Sequence, residues 1–219
     1  MNKPINYKNA TYAFENIYRH IDKEGQLFAG TKAVFNVSFT LSNVLERVIE
    51  TPARKFNQDY ADFEFDWYLS GNRDAFEISE RAKIWKNMMI PGTNDVISNY
   101  GYFWNKNNQL DRMVEELKNN PQTRRAVLVH YDIEELDLYK YDTPCNLALN
   151  FYLEGDRLEL SVMSRSIDLW YGFGNDQYCF SKLMELVSQK TGYKVGRMHW
   201  HITNLHLYEK QWNKDILES

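Results

Sequence analysis

Cys145 and Arg165 are the residues of this sequence whose types and placement best suit covalent chemistry. Cys145 lies in DTPCN, directly after Pro144 and before an apolar run that predicts a strand. The thiolate is the nucleophilic form of cysteine, and a nearby arginine favours it by stabilising the negative charge. Because Arg165 follows the next predicted strand of the same hairpin, we expect it to lower the pKa of Cys145. The alternative is that Cys145 is a small buried hydrophobic residue, the commoner role of a cysteine at a strand edge.

Four residues with hydrogen-bond donors predict a site for one phosphate group. Arg124 and Arg125 precede a predicted strand in QTRRAVLVHY, and Arg165 is followed by Ser166. Taken together they supply the fork-shaped donors that bind phosphate. On local grounds alone, Arg124 and Arg125 could also be a solvated pair at a strand edge. The combination favours a small phosphorylated molecule as ligand.

His206 and Tyr208 alternate along the predicted strand HWHITNLHLY and therefore share one of its faces. From that face they can hydrogen-bond a sugar hydroxyl, or they can form a satisfied pair in the core. The sequence contains no CxxC pair, no HExxH, no GxGxxG and no P-loop, and its five histidines are scattered. Neither a metal site nor a nucleoside triphosphate site is therefore predicted.

The elements that must position these residues follow from the spacing of apolar side chains. Helical spacing predicts helices over residues 10–22, around 110–117 and around 180–187, the last ending near Gly192. Runs rich in β-forming residues predict strands at AVLVHYDI, NLALNFYL, RLELSVMS and HWHITNLHLY. The turn EGD joins the second run to the third, and we expect the last three runs to form one antiparallel sheet. The pattern predicts an α+β fold, a mostly antiparallel or mixed sheet backed by helices, as a single domain over residues 1–219.

Composition and charge narrow the class of protein. A chain of 219 residues with 43% apolar content can bury one sizeable core. The formal charge of −4 and the lack of a sustained basic run argue against a nucleic-acid polymer as partner. The sequence has no run of about 18 apolar residues, as a membrane span needs, and its polar start MNKPINYKNA does not match a signal peptide. A cytoplasmic protein is expected, with Cys145 and Cys179 as free thiols and Cys179 buried in a helix.

Seven short motifs occur in an order that resembles the thymidylate synthase superfamily. In chain order they are Glu64 and Trp67 in EFDWYLSG, Trp85 in KIW, Tyr100 and Gly101 in NYG, Arg124–Arg125, Pro144–Cys145, RSxD and HxY. No single motif is specific, but their order is, and the resemblance runs from about residue 10 to residue 212. It implies that superfamily's fold and a homodimer formed through the sheet. It also implies a pyrimidine deoxynucleoside monophosphate as substrate and 5,10-methylenetetrahydrofolate as cofactor.

The resemblance implies a role for each matched residue. Cys145 would add to carbon 6 of the pyrimidine, and Glu64 would move protons on and off the ring. Arg165 and Ser166 would hold the phosphate, and Arg124–Arg125 would reach the phosphate of the neighbouring subunit. The other residues that it implies are Asn175, His206 and Tyr208 for the substrate and Trp85, Tyr100, Asp168 and Gly172 for the cofactor.

Asp176, in the run GFGNDQY, bears on which base is read. The synthases carry an asparagine there, whose amide matches the O4 acceptor and the N3–H donor of uracil. An aspartate can accept from the exocyclic amine of cytosine, and burial can raise its pKa enough for it to share a proton with ring N3. We therefore expect dCMP as substrate. The alternative is that Asp176 only caps the helix that follows it.

Further features resemble the phage deoxycytidylate 5-hydroxymethylases, in which water completes the reaction. These are the form RSxDxxxGFxND and a KIW motif without a second tryptophan. The sequence ends 13 residues after His206, so we expect the long closing tail of the synthases to be missing and water to be admitted. The resemblance thus predicts folate-dependent 5-hydroxymethylation of dCMP. Methylation of dCMP or dUMP is one alternative, and a catalytically silent relative that binds nucleotide or RNA is another.

One feature of the synthases has no clear counterpart in this sequence. Their N-terminal phosphate-binding arginine would fall near KEGQLFAGT, where only Lys23 or Lys32 is basic. The sequence therefore does not decide which residue takes the place of that arginine in the predicted phosphate site.

Overall fold

A seven-stranded mixed sheet is the framework of the molecule. The computed structural model describes residues 5–213. The strands of the sheet are β1 (Ile5–Tyr7), β2 (Gln26–Phe28), β3 (Thr31–Leu41), β6 (Val127–Val129), β7 (Asn146–Glu154), β8 (Arg157–Asp168) and β9 (Lys194–Tyr208), and a separate hairpin comprises β4 (Glu50–Thr51) and β5 (Arg54–Lys55). Their order in the sheet is β1-β3-β9-β8-β7-β6, with β2 paired to β3 outside that path. The predicted mixed sheet backed by helices is confirmed.

Six α-helices accompany the sheet in the described part of the chain. They are α1 (Ala10–Glu24), α2 (Gln58–Ser70), α3 (Phe76–Arg81), α4 (Tyr100–Asn105), α5 (Gln109–Asn119) and α6 (Gly174–Thr191). The spacing of apolar residues predicted α1, α5 and α6, and all three are confirmed. Asn9 caps the start of α1 by accepting the N–H of Tyr12, and Gly192, with φ of 83°, caps the end of α6.

The hairpin of β7 and β8 is antiparallel, as predicted, and turns at Gly155 and Asp156. The expectation that β9 continues an antiparallel sheet is wrong, because β8 and β9 pair in parallel. The 18 residues of α6 lie between these strands and carry the chain back to the starting edge of the sheet, as a parallel crossover requires. Parallel pairing brings the ends of both strands together, so Asp168 lies opposite His206.

The sheet buries one face against the helices. Along β9 the side chains of Met198, Trp200 and Ile202 are buried in the core, whereas the alternating His201 is exposed. The Trp200 ring stacks on Phe39 of β3 at 6.3 Å between centroids. This rigid layer fixes the strand ends that carry the polar residues of the candidate site.

Gly101 allows helix α4 to pack directly on the backbone of α2. A Cβ atom at this position would lie 1.5 Å from the carbonyl oxygen of Tyr68, and a backbone atom inside a helix cannot move aside. We expect Gly101→Ala to lower the free energy of unfolding by about 3 kcal/mol or more, measured by urea denaturation. Gly155→Ala is the matched control, because it has a positive φ of 64° but open space around it, and about 1 kcal/mol is expected. Equal losses in the two variants would contradict this account of the packing.

Some sequence expectations concern residues outside the described range. The expectation about the closing tail concerns the part of the chain after residue 213, and the predicted single domain includes residues 1–4 and 214–219. Within residues 5–213, no helix has the length and apolar character needed to cross a bilayer. No cluster of metal-binding side chains occurs in the same range. Both cysteines are free thiols, and Cys179 is buried in α6 as expected.

Candidate active site

Cys145 lies in the loop that enters β7, and Arg165 of the neighbouring strand holds that loop. The guanidinium donates to the carbonyl oxygens of Thr143 and Pro144, at 2.7 and 3.0 Å. The backbone N–H of Arg165 donates to the carbonyl oxygen of Cys145 at 3.0 Å. The predicted proximity of Arg165 to Cys145 is therefore present, and it comes from pairing of β7 with β8.

The pKa of Cys145 is nevertheless raised, to about 12. Burial is the largest cause and the charge of Asp176 the next, with smaller contributions from Asp142 and Asp168, and the Arg165 guanidinium opposes all of them. Arg165 thus acts in the expected direction, but burial and three carboxylates outweigh this one cation, so the net shift is upward. Thiolate formation at this site therefore needs either additional positive charge or the protonation of a carboxylate.

Asp176 does not cap the helix in which it lies. Helix α6 has Phe173 at its N-cap and no side-chain capping bond, and Asp176 follows within the first turn. Its Oδ2 atom accepts a hydrogen bond from Nδ2 of Asn146 at 2.9 Å. Burial raises the pKa of Asp176 to about 7, and the Asn146 hydrogen bond acts in the opposite direction. The carboxyl is thus a buried group beside the predicted nucleophile that can gain or lose a proton near neutral pH.

Asn146 is a site residue that the sequence reasoning missed. Its side chain is fully buried, donates to the hydroxyl of Tyr100 at 2.8 Å, and accepts from the hydroxyl of Ser164 at 2.5 Å. The register of β7 and β8 shifts between Asn146 and Ala148. Such a bulge re-aims a side chain, so the two-residue period of a regular strand gave no signal for Asn146.

Glu64 of α2 is buried near Asp176. Its Oε1 atom accepts from the hydroxyl of Tyr60 at 2.9 Å, and that hydroxyl accepts from the indole N–H of Trp85 at 2.8 Å. The side chain of Asn175 also hydrogen-bonds to Glu64. Burial and the charge of Asp176 raise the pKa of Glu64 to about 8. Glu64 is therefore protonated at neutral pH, in which state it can act as an acid.

The ends of β8 and β9 form a polar surface beside Arg165. Nδ1 of His206 lies 2.8 Å from Oδ1 of Asn204 and 3.5 Å from the hydroxyl of Ser166, and the ring of Tyr208 meets His206 edge to face at 5.3 Å. Burial and the charge of Arg165 lower the pKa of His206 to about 4, so the ring is neutral. An Nδ1–H donated to Asn204 leaves Nε2 as an acceptor, as a sugar hydroxyl would require.

The residues predicted for the cofactor lie at the end of β8, in the turn between β8 and α6, at the start of α4 and in the segment after α3. Asp168 ends β8, accepts the N–H of Trp170 at 2.9 Å, and has its pKa raised by burial to about 6. A Cβ on Gly172 would contact only Asp168, at 3.8 Å, so the space before it is open. Arg54 was not predicted: it is buried, its charge acts on Asp168, and its Nη1 has no hydrogen-bond partner in residues 5–213. An open backbone, a carboxyl and an unpaired cationic donor fit a folate, which carries both polar ring atoms and carboxylates.

Arg124 and Arg125 are not brought to Cys145 by their own chain. The guanidinium of Arg125 is largely exposed and pairs with Glu116 at 3.0 Å. Arg124 lines a surface cavity with Asn150, which is five residues from Cys145 along the chain, or roughly 15 Å at the rise of a strand. Of the four residues expected to bind phosphate, one chain therefore places only Arg165 and Ser166 near Cys145.

Of the two lysines near the missing phosphate arginine, Lys32 is held by Asp22 and Lys23 is exposed to solvent. Nζ of Lys32 donates to the carbonyl oxygen of Asp22 at 2.9 Å and to its carboxylate at 3.0 Å. Lys23 lies beside Glu24 with its side chain 83% exposed. The structure therefore assigns neither lysine to the phosphate, and no residue replaces the missing arginine among residues 5–213 of this one chain.

A sequence model of the family "Thymidylate synthase" matches residues 12–217. The chain belongs to the thymidylate synthase family. This membership confirms the resemblance drawn from the seven motifs. The fold described above is the thymidylate synthase domain.

Relatives of the chain within the thymidylate synthase family carry two kinds of name. This chain is 30% identical over 230 residues to the deoxyuridylate hydroxymethyltransferase of Bacillus phage SP01, and the match covers 95% of this chain and 59% of that protein. The deoxyuridylate hydroxymethyltransferase of Pseudomonas phage M6 is 29% identical over 208 residues, covering 92% and 58%. The deoxycytidylate 5-hydroxymethyltransferase of Enterobacteria phage T4 is 29% identical over 172 residues, covering 71% and 69%. The chain thus spans less than two thirds of the deoxyuridylate relatives, and the names divide on the base that is modified.

Proposed function

We propose that this chain is a homodimeric, folate-dependent 5-hydroxymethyltransferase that acts on dCMP in the cytoplasm. The observation that carries the choice of cytosine is the buried Asp176, whose pKa is raised to about 7 beside Cys145. Cytosine presents an amine donor and the N3 acceptor, and a protonated carboxyl offers one acceptor and one donor. An acid with a pKa near neutrality can supply that form at working pH.

Cys145 is proposed to add to carbon 6 of the pyrimidine. Carbon 5 alone is too weak a nucleophile to attack a one-carbon unit, and the new bond from sulfur to carbon 6 moves the ring electrons onto carbon 5. The raised pKa of Cys145 means that its proton must be removed as the nucleotide binds. Protonation of Asp176 in the complex would remove a negative charge from beside the sulfur, while Arg165 would continue to stabilise the thiolate.

Glu64 is proposed to move protons at the base and at the attacking water. Its pKa of about 8 lets it donate a proton as the thiol adds, and its ionised form can take a proton from a water. Bound methylenetetrahydrofolate would supply the one-carbon unit that carbon 5 attacks. Trp85, Asp168 and Arg54 would hold it, and Gly172 would leave room for it.

The two-fold dimer is proposed because one chain leaves its phosphate site short of positive charge. Arg124–Arg125 lies away from Cys145 in its own chain, and Lys32 is bound to Asp22. A partner whose sheet packs on the outer face of this one would supply the arginine pair in trans. The added cations would hold the phosphate and favour the Cys145 thiolate.

Mixing two inactive variants tests the shared site. Arg124→Ala and Cys145→Ser homodimers are each expected to be inactive, and mixtures in which subunits exchange are expected to regain up to about a quarter of wild-type activity. The reason is that half of the dimers are hybrids at equal mixing, and each hybrid has one site with both wild-type parts. The measurement is product formation against mixing time, with subunit exchange followed by mass spectrometry of a tagged chain. Full exchange without recovered activity would show that the arginines do not act across the interface.

A second candidate is hydroxymethylation of dUMP, which the names of the relatives from phages SP01 and M6 favour. Mass spectrometry of the products from dCMP, CMP and dUMP, each with methylenetetrahydrofolate, separates the candidates. The proposal expects dCMP to gain CH2O, whereas a gain of CH2 would indicate a methyltransferase. Product from dUMP but not from dCMP would overturn the choice of base, and stoichiometric binding without product would indicate a silent relative.

A further inference from the structure

The side chain of Asn146 joins three elements that carry site residues. Its amide contacts Tyr100 of α4, Ser164 of β8 and Asp176 of α6, all within 2.9 Å. No part of Asn146 is exposed, and it directly follows Cys145. This placement connects the residue that is proposed to read the base with the residue that is proposed to attack it.

The backbone of Asn146 is held from both sides. Its N–H points at the hydroxyl oxygen of Tyr100, 3.4 Å away, and its carbonyl oxygen lies 3.0 Å from Nδ1 of His130. Nε2 of His130 accepts from the indole N–H of Trp104 at 2.9 Å, so Nδ1 carries the hydrogen and donates to Asn146. Burial lowers the pKa of His130 to about 4, which keeps this arrangement neutral and fixed.

The direction of the Asn146 amide is set by its other partners. The Tyr100 oxygen faces both the backbone N–H and Nδ2 of Asn146, while the Ser164 hydroxyl donates to Oδ1. Nδ2 is therefore the atom that faces Asp176, and it donates to Oδ2. Oδ1 of Asp176 accepts no hydrogen bond from residues 5–213 and is left for a ligand.

A protonated aspartate has two oxygens that can carry its proton, and the two placements suit different bases. With the proton on the oxygen that faces ring N3, the carboxyl matches cytosine. With the proton on the oxygen that faces position 4, it matches uracil. An oxygen that already accepts an N–H is the poorer site for the proton. We propose that Asn146 is a specificity-determining residue, because its hydrogen bond to Oδ2 places the proton of Asp176 on Oδ1. This inference rests on the proposed function, since it assumes that Asp176 reads a pyrimidine.

Asn146→Asp is the sharpest test, because it keeps the shape of the side chain and its Tyr100 and Ser164 partners. It replaces the donor that faces Asp176 with an acceptor, so the shared proton moves to Oδ2 of Asp176. We expect the ratio of kcat/KM for dCMP to that for dUMP to move about 30-fold or more toward the base that the wild type disfavours. A ratio within one enzyme is insensitive to a general loss of activity.

Two further variants guard against misfolding of the first. Asn146→Ala removes the donor altogether, and the ratio is expected to approach one. Ser164→Ala keeps Asn146 but removes the donor to its oxygen, so a shift of several-fold in the same direction is expected. Asn150→Asp, four residues along the same strand, adds the same charge away from Asp176 and is expected to leave the ratio unchanged.

The outcomes separate this inference from the proposed function. If the wild type converts one nucleotide and the ratio stays within threefold in every folded Asn146 and Ser164 variant, the inference is overturned and the function stands. If the wild type converts neither dCMP nor dUMP, the proposed function fails. In that case the inference is tested by calorimetry, from the ratio of the dissociation constants for dCMP and dUMP. An unchanged ratio of these constants in Asn146→Asp would overturn the inference as well.

Discussion

Cys145→Ser is expected to reduce turnover of dCMP by four or more orders of magnitude while nucleotide affinity changes less than about threefold. The serine hydroxyl is a far weaker nucleophile than a thiolate. The phosphate and sugar contacts proposed for Arg165, Ser166 and His206 do not involve the sulfur atom. Single-turnover assays and isothermal titration of dCMP measure the two effects separately.

Cys179→Ser is the matched control for that experiment. Its sulfur is buried in α6 and lies 3.8 Å from the carbonyl oxygen of Ala61 and 4.0 Å from Oε2 of Glu64, contacts that a hydroxyl can also make. Activity within about tenfold of wild type is expected. Turnover of Cys145→Ser at a similar level would remove Cys145 as the nucleophile, whatever its position in the site.

Local patterns account for the parts of the fold that the sequence predicted. Helices α1, α5 and α6 have apolar residues on one face, and the turn at Gly155 has a residue that tolerates positive φ. The parallel pairing of β8 with β9 was not predictable from either strand, because both directions of pairing use the same alternation of side chains. What decides it is the crossover through α6, which returns the chain to the starting edge of the sheet before β9 begins.

The candidate site was predictable where residue type alone suggests chemistry, as with Cys145 and Arg165. It was not predictable where a side chain is redirected by a bulge, as with Asn146, or where a cation is buried far along the chain, as with Arg54. The direction of the pKa shift of Cys145 could also be determined only from the folded structure. It depends on carboxylates of Asp142, Asp168 and Asp176, which the sheet and α6 bring to one place.

The pH dependence of dCMP turnover follows from the raised pKa of Asp176. Because reading cytosine needs the protonated carboxyl, kcat/KM for dCMP is expected to fall about tenfold for each pH unit above about 7, where Asp176 loses its proton. The same raised pKa lowers stability as pH rises. Between the unfolded value of 3.8 and about 7 the folded state binds the extra proton, so the free energy of unfolding decreases across that window.

Asp176→Asn is expected to shift preference from dCMP toward dUMP by roughly two orders of magnitude in the ratio of kcat/KM values. The amide donates to O4 and accepts from N3–H of uracil, and it leaves cytosine with a mismatched contact. A buried polar group without a partner costs about 1–3 kcal/mol. The substitution removes this cost for uracil and imposes it on cytosine, so both changes move the ratio in the same direction. The measurement is competition between the two nucleotides for wild type and variant, at several pH values.

The pH profile decides between base reading and a merely structural role for Asp176. The fall of activity above pH 7 that is expected for dCMP with the wild type should be absent from dUMP turnover by Asp176→Asn. The decrease in stability between about pH 4 and 7 should become smaller in this variant, since no carboxyl titrates at this position. Asp62→Asn is a matched control, because that carboxyl lies near the surface and pairs with Lys182 at 2.6 Å; it should leave the ratio unchanged. A change of less than threefold in the ratio for Asp176→Asn, with the stability effect present, would mean that the carboxyl titrates but does not read the base. In that case the deoxyuridylate hydroxymethyltransferases would be the better guide to the substrate.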